Sequence, residues 1–174
     1  MTTPPGFLRP LRHSDRAEAL AAHAELAAEG FDFLLGYDDG DDWDGYLELL
    51  AAQERGERLP RGTVPHTFRV ADDGGTLVGR VSIRHELNAY LAAIGGHIGY
   101  AVRPGARRRG HAGRILREAL EVAAGLGIPA ALLTCDEDNV GSVRTIEAAG
   151  GVFEDAIELV PGVAKRRYWV ETRP

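Results

Sequence analysis

The stretch HIGYAVRPGARRRGHAGRILREAL, residues 97–120, holds a strand, a corner and the start of a helix in immediate succession. His97–Val102 reads as a strand, and Pro104 ends it because proline has no N–H to give a sheet ladder. From Gly110 to Leu126 the apolar residues Ile115, Leu116, Ala119, Leu120 and Ala123 recur at helical spacing on one face. Ala130–Cys135 is an unbroken apolar run, as expected of a strand covered on both sides. A strand, a helix and a second buried strand imply a parallel pair joined by a crossover.

Outward from this unit the pattern stays short and turn-rich. Phe7–Arg12 reads as a short extended segment. Asp15 with Glu18 forms a capping box that opens an Ala-rich helix closed by Gly30. After Asp42, Trp43, Tyr46, Leu47 and Leu50 mark a second helix that Gly56 stops. His66–Ala71 and Thr76–His85 flank Asp72-Asp73-Gly74-Gly75 as a hairpin. A connection broken by Gly and Asn leads to His97. Ser142–Ala149 is a short helix, and strands Val152–Val160 and Lys165–Thr172 meet at Pro161-Gly162. The expectation is an α/β (α+β) fold: a mixed, mostly antiparallel sheet with a central splayed parallel strand pair and helices on both faces.

The chain has 174 residues, 44% hydrophobic and 26% charged, which suits one domain spanning 1–174 and excludes a disordered chain. Its net charge of −6 argues against a nucleic-acid coat. No stretch approaches the length of a membrane span, and MTTPPGFLRPLRHSD lacks an apolar secretory core, so a cytoplasmic location is expected. One cysteine, Cys135, excludes an intrachain disulfide and any multi-cysteine metal site; it reads as core. His85-Glu86 begins like a zinc-protease motif, but Ala89 stands where the second His is needed, so no metal is expected. Charge is uneven: Glu25 to Glu57 holds eleven acids and one base, whereas Arg103 to Arg117 holds six arginines and no acid.

Three consecutive arginines, Arg107, Arg108 and Arg109, before a helix break a local rule, because a helix N-terminus disfavours cations. An anion on the free N–H groups would reverse the sign, and Gly110, Ala112 and Gly113 are small enough to admit a phosphate. Gly105 to Gly110 gives G-x-x-x-x-G, but His111-Ala112 follows where a nucleotide hydrolase needs Lys and Ser/Thr, so a bound, unreacting pyrophosphate is expected. On charge alone, a solvated arginine turn explains the stretch equally well.

The run from Arg107 to Ala112 fits Q/R-x-x-G-x-G/A and resembles the acetyl-CoA pyrophosphate loop of the GNAT N-acetyltransferase superfamily. Gly99 to Pro104 resembles the strand leading into that loop. Asn139, Ser142, Glu147 and Gly150 resemble the superfamily's second cofactor motif. The resemblance runs from about Thr67 to the C-terminus. Segments RHELN, GGHIGYAV, CDEDN and KRRYW also look like a bacterial subgroup of acetyltransferases whose substrates the resemblance does not supply. It implies acetyl-CoA as acyl donor in a gap between His97–Val102 and Ala130–Cys135. Ala101 and Val102 would pair with pantetheine through their backbone, Arg107 to Gly113 (with Arg108, Arg109, Gly110, His111 and Ala112) would seat the pyrophosphate, and Asn139 and Ser142 would flank the arm.

The implied reaction is attack of an amine on the thioester, needing a base, oxyanion donors and a proton for the thiolate. Many members place a Tyr acid where this chain has Ile146, leaving Tyr100, Tyr168 or water. Glu86 is the first candidate base and His97 the second, with His85 and Asp136 behind. The bland alternatives are an arginine partner for Glu86 and a hydrogen-bonded strand histidine at His97. The acidic run Asp38-Asp39-Gly40-Asp41-Asp42 would favour a cationic amine acceptor, or is a solvated turn. The expected protein is a monomer or homodimer with no nucleic-acid or membrane partner. Two other readings stay open: a catalytically silent acyl-CoA binding or sensing module, and an RNA-associated module using the arginines.

Overall fold

The computed structural model describes residues 6–172 and divides the strands into two antiparallel sheets. The first, in order β1-β2-β3-β4, comprises β1 (Leu8–Arg9), β2 (His66–Asp73), β3 (Thr76–Arg84) and β4 (Ile98–Val102). The second, in order β5-β7-β6, comprises β5 (Ala130–Asp136), β7 (Val163–Glu171) and β6 (Val152–Val160). Four helices complete the chain: α1 (Arg16–Ala27), α2 (Trp43–Glu54), α3 (His111–Gly125) and α4 (Val140–Ala148).

The sheets meet at β4 and β5, which share no ladder. His97 N–H donates to Leu132 O at 2.7 Å, and Leu132 N–H donates back to His97 Nδ1 at 2.9 Å. Gly96 makes this contact possible: its φ is +66°, and a Cβ there would meet the Leu132 carbonyl carbon at 3.2 Å. Beyond this seam the strands separate, and residues from both line one cleft. This is the expected splayed pair, joined across α3.

Two apolar clusters hold the layers. On one side α3 inserts Ile115, Leu116, Ala119, Leu120 and Ala123 against Val81, Ile83, Ile98, Val102 and Leu133. Gly79 lets α3 approach, since a Cβ there would lie 2.9 Å from Ile115 Cδ1. On the other, α1, α2 and the segment between them bury Ala19, Leu26, Phe33, Leu34, Trp43 and Tyr46 against Phe68 and Val70. At about 25 cal/mol per Å² of apolar surface, each large side chain removed from water supplies about 1.5–3 kcal/mol, an upper estimate.

Local signals met tertiary competition. Asp42 caps α2 as expected, accepting from Gly45 N–H at 2.8 Å. The Asp15–Glu18 capping box does not form. Asp15 instead receives Arg9 at 2.7 and 3.0 Å and Arg12 N–H at 2.8 Å. Glu18 reaches across to Leu77 N–H at 2.9 Å and to Arg103. A buried guanidinium offers a carboxylate stronger, charge-assisted bonds than a helix N–H does. The expected opening strand contracts to Leu8–Arg9, and the β3–β4 connection, broken by Gly and Asn, contains a five-residue π-helical turn, Leu91–Gly95.

Candidate active site

The cleft between the sheets encloses about 860 Å³, within the range of small-molecule sites. Its walls are β4, the α3 N-terminus, the end of β5, the α4 N-terminus, and the end of α1 with the turn after it (Leu26, Glu29, Gly30 and Phe31). Register decides which peptide groups face it. Arg84 N–H donates to His97 O and Arg103 N–H to Val78 O, with Ser82 opposite Gly99 and Arg80 opposite Ala101. Residues 97, 99, 101 and 103 therefore bond to β3, and Ile98, Tyr100 and Val102 turn their N–H and C=O groups toward the gap. Of the two residues expected to use their backbone, Val102 faces the cleft and Ala101 is engaged with β3. Val102 O already accepts from Arg107 Nε at 3.1 Å.

At the corner, Gly110 adopts φ +84° and precedes α3 without a side-chain cap. A side chain is strained at that φ, which explains the glycine. The first N–H groups of α3 have no intrahelical acceptor, and Gly110, His111, Ala112 and Gly113 all line the cleft. The His111 ring turns toward Phe7, stacked at 6.0 Å, so its contribution to the cleft is mainly backbone.

The three arginines separate. Arg107 and Arg108 line the cleft, whereas Arg109 lines a second hollow with Glu25 and Arg103. Arg107 pairs with Glu29 at 2.5 Å and holds that carboxylate below its usual range, chiefly by the hydrogen bond. Arg103 does the same to Glu25 at 2.6 Å. The acidic and basic segments are thus partly zipped together at the end of α1. The Asp38–Asp42 run serves its own backbone: Asp41 receives Asp38 N–H at 2.9 Å and Asp42 caps α2.

On the opposite wall Asn139 and Ser142 engage each other: Asn139 Oδ1 accepts from Ser142 N–H at 3.1 Å and caps α4. Tyr100 projects beside them. Its hydroxyl is buried beside the Ser142 and Thr145 side chains without a hydrogen bond of good geometry to either. Burial pushes the phenol up, with the Ser142 and Thr145 side chains pulling the other way. Tyr168 does not line the cleft; its hydroxyl lies 3.3 Å from Glu147. Ile146 is buried on the cleft wall. Cys135 is buried with its thiol pushed up by desolvation, so it is less readily a thiolate.

Neither proposed base lies on the cleft wall. His97 is buried at the seam, its Nδ1 engaged by Leu132 N–H, and burial followed by Arg84 pushes its pKa down. Glu86 is exposed just beyond β3. His85, next to it, contacts Thr67 Oγ1 at 2.9 Å through Nε2. Asp136, the remaining candidate, lines the cleft and pairs with Lys165 at 2.7 Å. Among the described residues no group of three or more His, Cys, Asp or Glu is placed to hold a metal, and no helix is long and apolar enough to cross a membrane.

No curated protein matches the chain in sequence. Solved structures do match in fold. The acetyltransferase of GNAT family from Streptococcus pneumoniae aligns with TM-score 0.66 at 19% identity, over 95% of this chain and 98% of that one. Mycobacterium smegmatis RimJ in complex with CoA-disulfide aligns with TM-score 0.66 at 20% identity, over 94% and 80%. Salmonella typhimurium yncA, with its cofactor acetyl-CoA, aligns with TM-score 0.63 at 13% identity, over 95% and 93%. The sequence profile of the acetyltransferase (GNAT) family matches residues 20–150. With three quarters of its length matched and the cleft between splayed strands in place, the chain belongs to the acetyltransferase (GNAT) family, acyltransferases that take their acyl group from acetyl-CoA.

Proposed function

We propose that the chain transfers the acetyl group of acetyl-CoA directly to a primary amine of a small molecule or peptide. One observation carries this: an uncapped helix N-terminus, two arginines and the unpaired edge of a strand converge on one cleft. Arg107, Arg108 and the N–H groups of residues 110–113 receive the pyrophosphate, where helix dipole and guanidinium act with the same sign. The peptide groups of Tyr100 and Val102 pair with the pantetheine amides as an added strand does. Asn139 and Ser142 border the arm.

In the reaction the amine nitrogen bonds to the thioester carbonyl carbon, the C–S bond breaks, and the sulfur leaves with the electron pair. The sulfur takes a proton from Tyr100, whose buried phenol makes no well-formed hydrogen bond in the ligand-free protein, and solvent returns that proton to the phenolate. The ammonium proton passes through solvent to Glu86, because His97 Nδ1 is already an acceptor. Asp41 and Asp42 hold a turn and a cap, which accounts for their place in the acidic run without a cationic acceptor. Calorimetry with acetyl-CoA, followed by thiol release over an amine panel, tests the reading. No heat with acetyl-CoA at modest ionic strength refutes it.

A silent acyl-CoA binding module draws support from Ile146, which puts an alkyl group on the cleft wall, and from the placement of Glu86 and His97 off it. Acetyl-CoA binding without thiol release or acetylated product across the panel decides for it.

A further inference from the structure

The sheet face opposite α3 carries two arginines with no carboxylate in contact with either among the described residues. Strand register places His66 opposite Arg84, Phe68 opposite Ser82 and Val70 opposite Arg80, so these side chains share one face. Arg80 is 3% exposed and Ser82 1%. Arg80 donates to Asp32 O at 2.6 Å and to Gly99 O at 3.3 Å, and its guanidinium lies 4.4 Å from the Phe31 ring centroid. Arg84 donates to Gly95 O at 3.3 Å. Among the described residues neither guanidinium has a carboxylate within ion-pair distance; Arg84 disfavours the charge on Arg80, and Asp32, beyond that distance, favours it in part. Arg80 Nε, Ser82 Oγ and His66 Nε2 are buried with no hydrogen-bond partner.

This cluster backs onto the cleft. Phe31, Gly99 and Ala101 line the cleft and stand against Arg80 and Arg84. Gly99 is the thin point: a Cβ there would sit 3.0 Å from Arg84 Nη1, so the missing side chain leaves the guanidinium directly under the wall. A guanidinium remains protonated at neutral pH even when burial opposes its charge. A buried and a half-buried cation side by side, with orphaned polar groups around them, are costly unless an anion arrives from outside. The peptide dipoles of Asp32, Gly95 and Gly99 answer part of that demand and leave the net charge.

We propose that the acceptor is an amine that also carries a carboxylate, received by Arg80 and Arg84 with Ser82 and His66 at its edge. The planar fork of a guanidinium matches a carboxylate in a bidentate pair, and the amine then lies on the β4 side toward the thioester. This deepens the acetyl-transfer reading and rests on it. The acceptor's charge so assigned is opposite to the one an exposed acidic loop would favour.

The test compares the twenty L-amino acids, β-alanine and γ-aminobutyrate with their carboxamides, using the whole chain, acetyl-CoA and thiol release. At least one free acid is expected to be acetylated with kcat/KM about tenfold or more above its amide. Arg84→Gln is expected to raise KM for that acid by about tenfold or more, while calorimetric affinity for acetyl-CoA stays at the wild-type value. Equal rates for acid and amide overturn the proposal, as does an enzyme that binds acetyl-CoA yet acetylates none of the acids. The acid-to-amide ratio in the wild type stands by itself should Arg84→Gln fail to fold. Absence of acetyl-CoA binding in the wild type falls instead on the acetyl-transfer reading.

Discussion

Replacing Tyr100 by Phe removes one oxygen from a cleft wall and leaves the ring packing in place. That oxygen is buried and makes no well-formed hydrogen bond in the ligand-free protein. A buried hydroxyl without a partner costs about 1–3 kcal/mol of desolvation, so Tyr100→Phe should stabilise the free protein by about 1–2 kcal/mol. For a chain of this length that is an increase in Tm of about 2–8 °C. Turnover should move the other way. A hydrogen bond that meets the departing thiolate is charge-assisted and contributes about 1.5–3 kcal/mol, so kcat should fall about 10- to 100-fold. Thermal unfolding without ligand and thiol release at saturating acetyl-CoA read the two effects separately. A variant that melts at or below the wild type shows that the hydroxyl has a partner in the free protein. A variant with unchanged kcat removes Tyr100 from the chemistry.

The arginine loop should divide by residue. Arg107→Ala and Arg108→Ala each weaken acetyl-CoA binding by about 3- to 30-fold in calorimetry, whereas Arg109→Ala, facing the second hollow, leaves affinity near the wild-type value. Gly110→Ala, at φ +84°, should cost about 1–2 kcal/mol in chemical denaturation and weaken acetyl-CoA as the helix N-terminus shifts. Stability should also depend on pH through His66, His85 and His97, whose pKa values burial lowers from 6.5. Each then binds protons more readily unfolded than folded, so stability is complete above about pH 6.5 and falls as pH drops through the folded values. Denaturation midpoints measured from pH 8 to pH 5 should show this slope, and His97→Gln should flatten it.

Residues 97–126 were legible because local and tertiary demands agree there: the amphipathic period of α3, the helix-breaking Pro104 and the glycine at a positive φ all point one way. The same agreement made Asp42 readable as a cap. Asp15 and Glu18 carry an equally good helix-start signal, yet both carboxylates serve partners outside the helix: Asp15 takes Arg9 on the opening strand, and Glu18 takes the distant Leu77 and Arg103. A local pattern cannot show that competition. The arginine run was read correctly as a corner, but which guanidinium faces which hollow depends on the φ of single residues, such as Arg108 at +63°. Arg80 and Arg84 were missed because Arg-x-Ser-x-Arg in a strand reads as the wet face of a sheet. A signal was available: that face also carries Phe68 and Val70 on the adjoining strand and must be covered.

The seam at His97 and Leu132 makes the molecule resemble two plates riveted at one corner. Shear between the plates is resisted by α3, by side chains packed across the join and by that corner rather than by a continuous row of amide bonds, so the opening should widen at less cost than an unbroken ladder would demand. A guest laid along the free margin of β4 would act as a second fastener. The empty protein should therefore be mechanically softest along the line where its chemistry is done, and should stiffen there first when loaded.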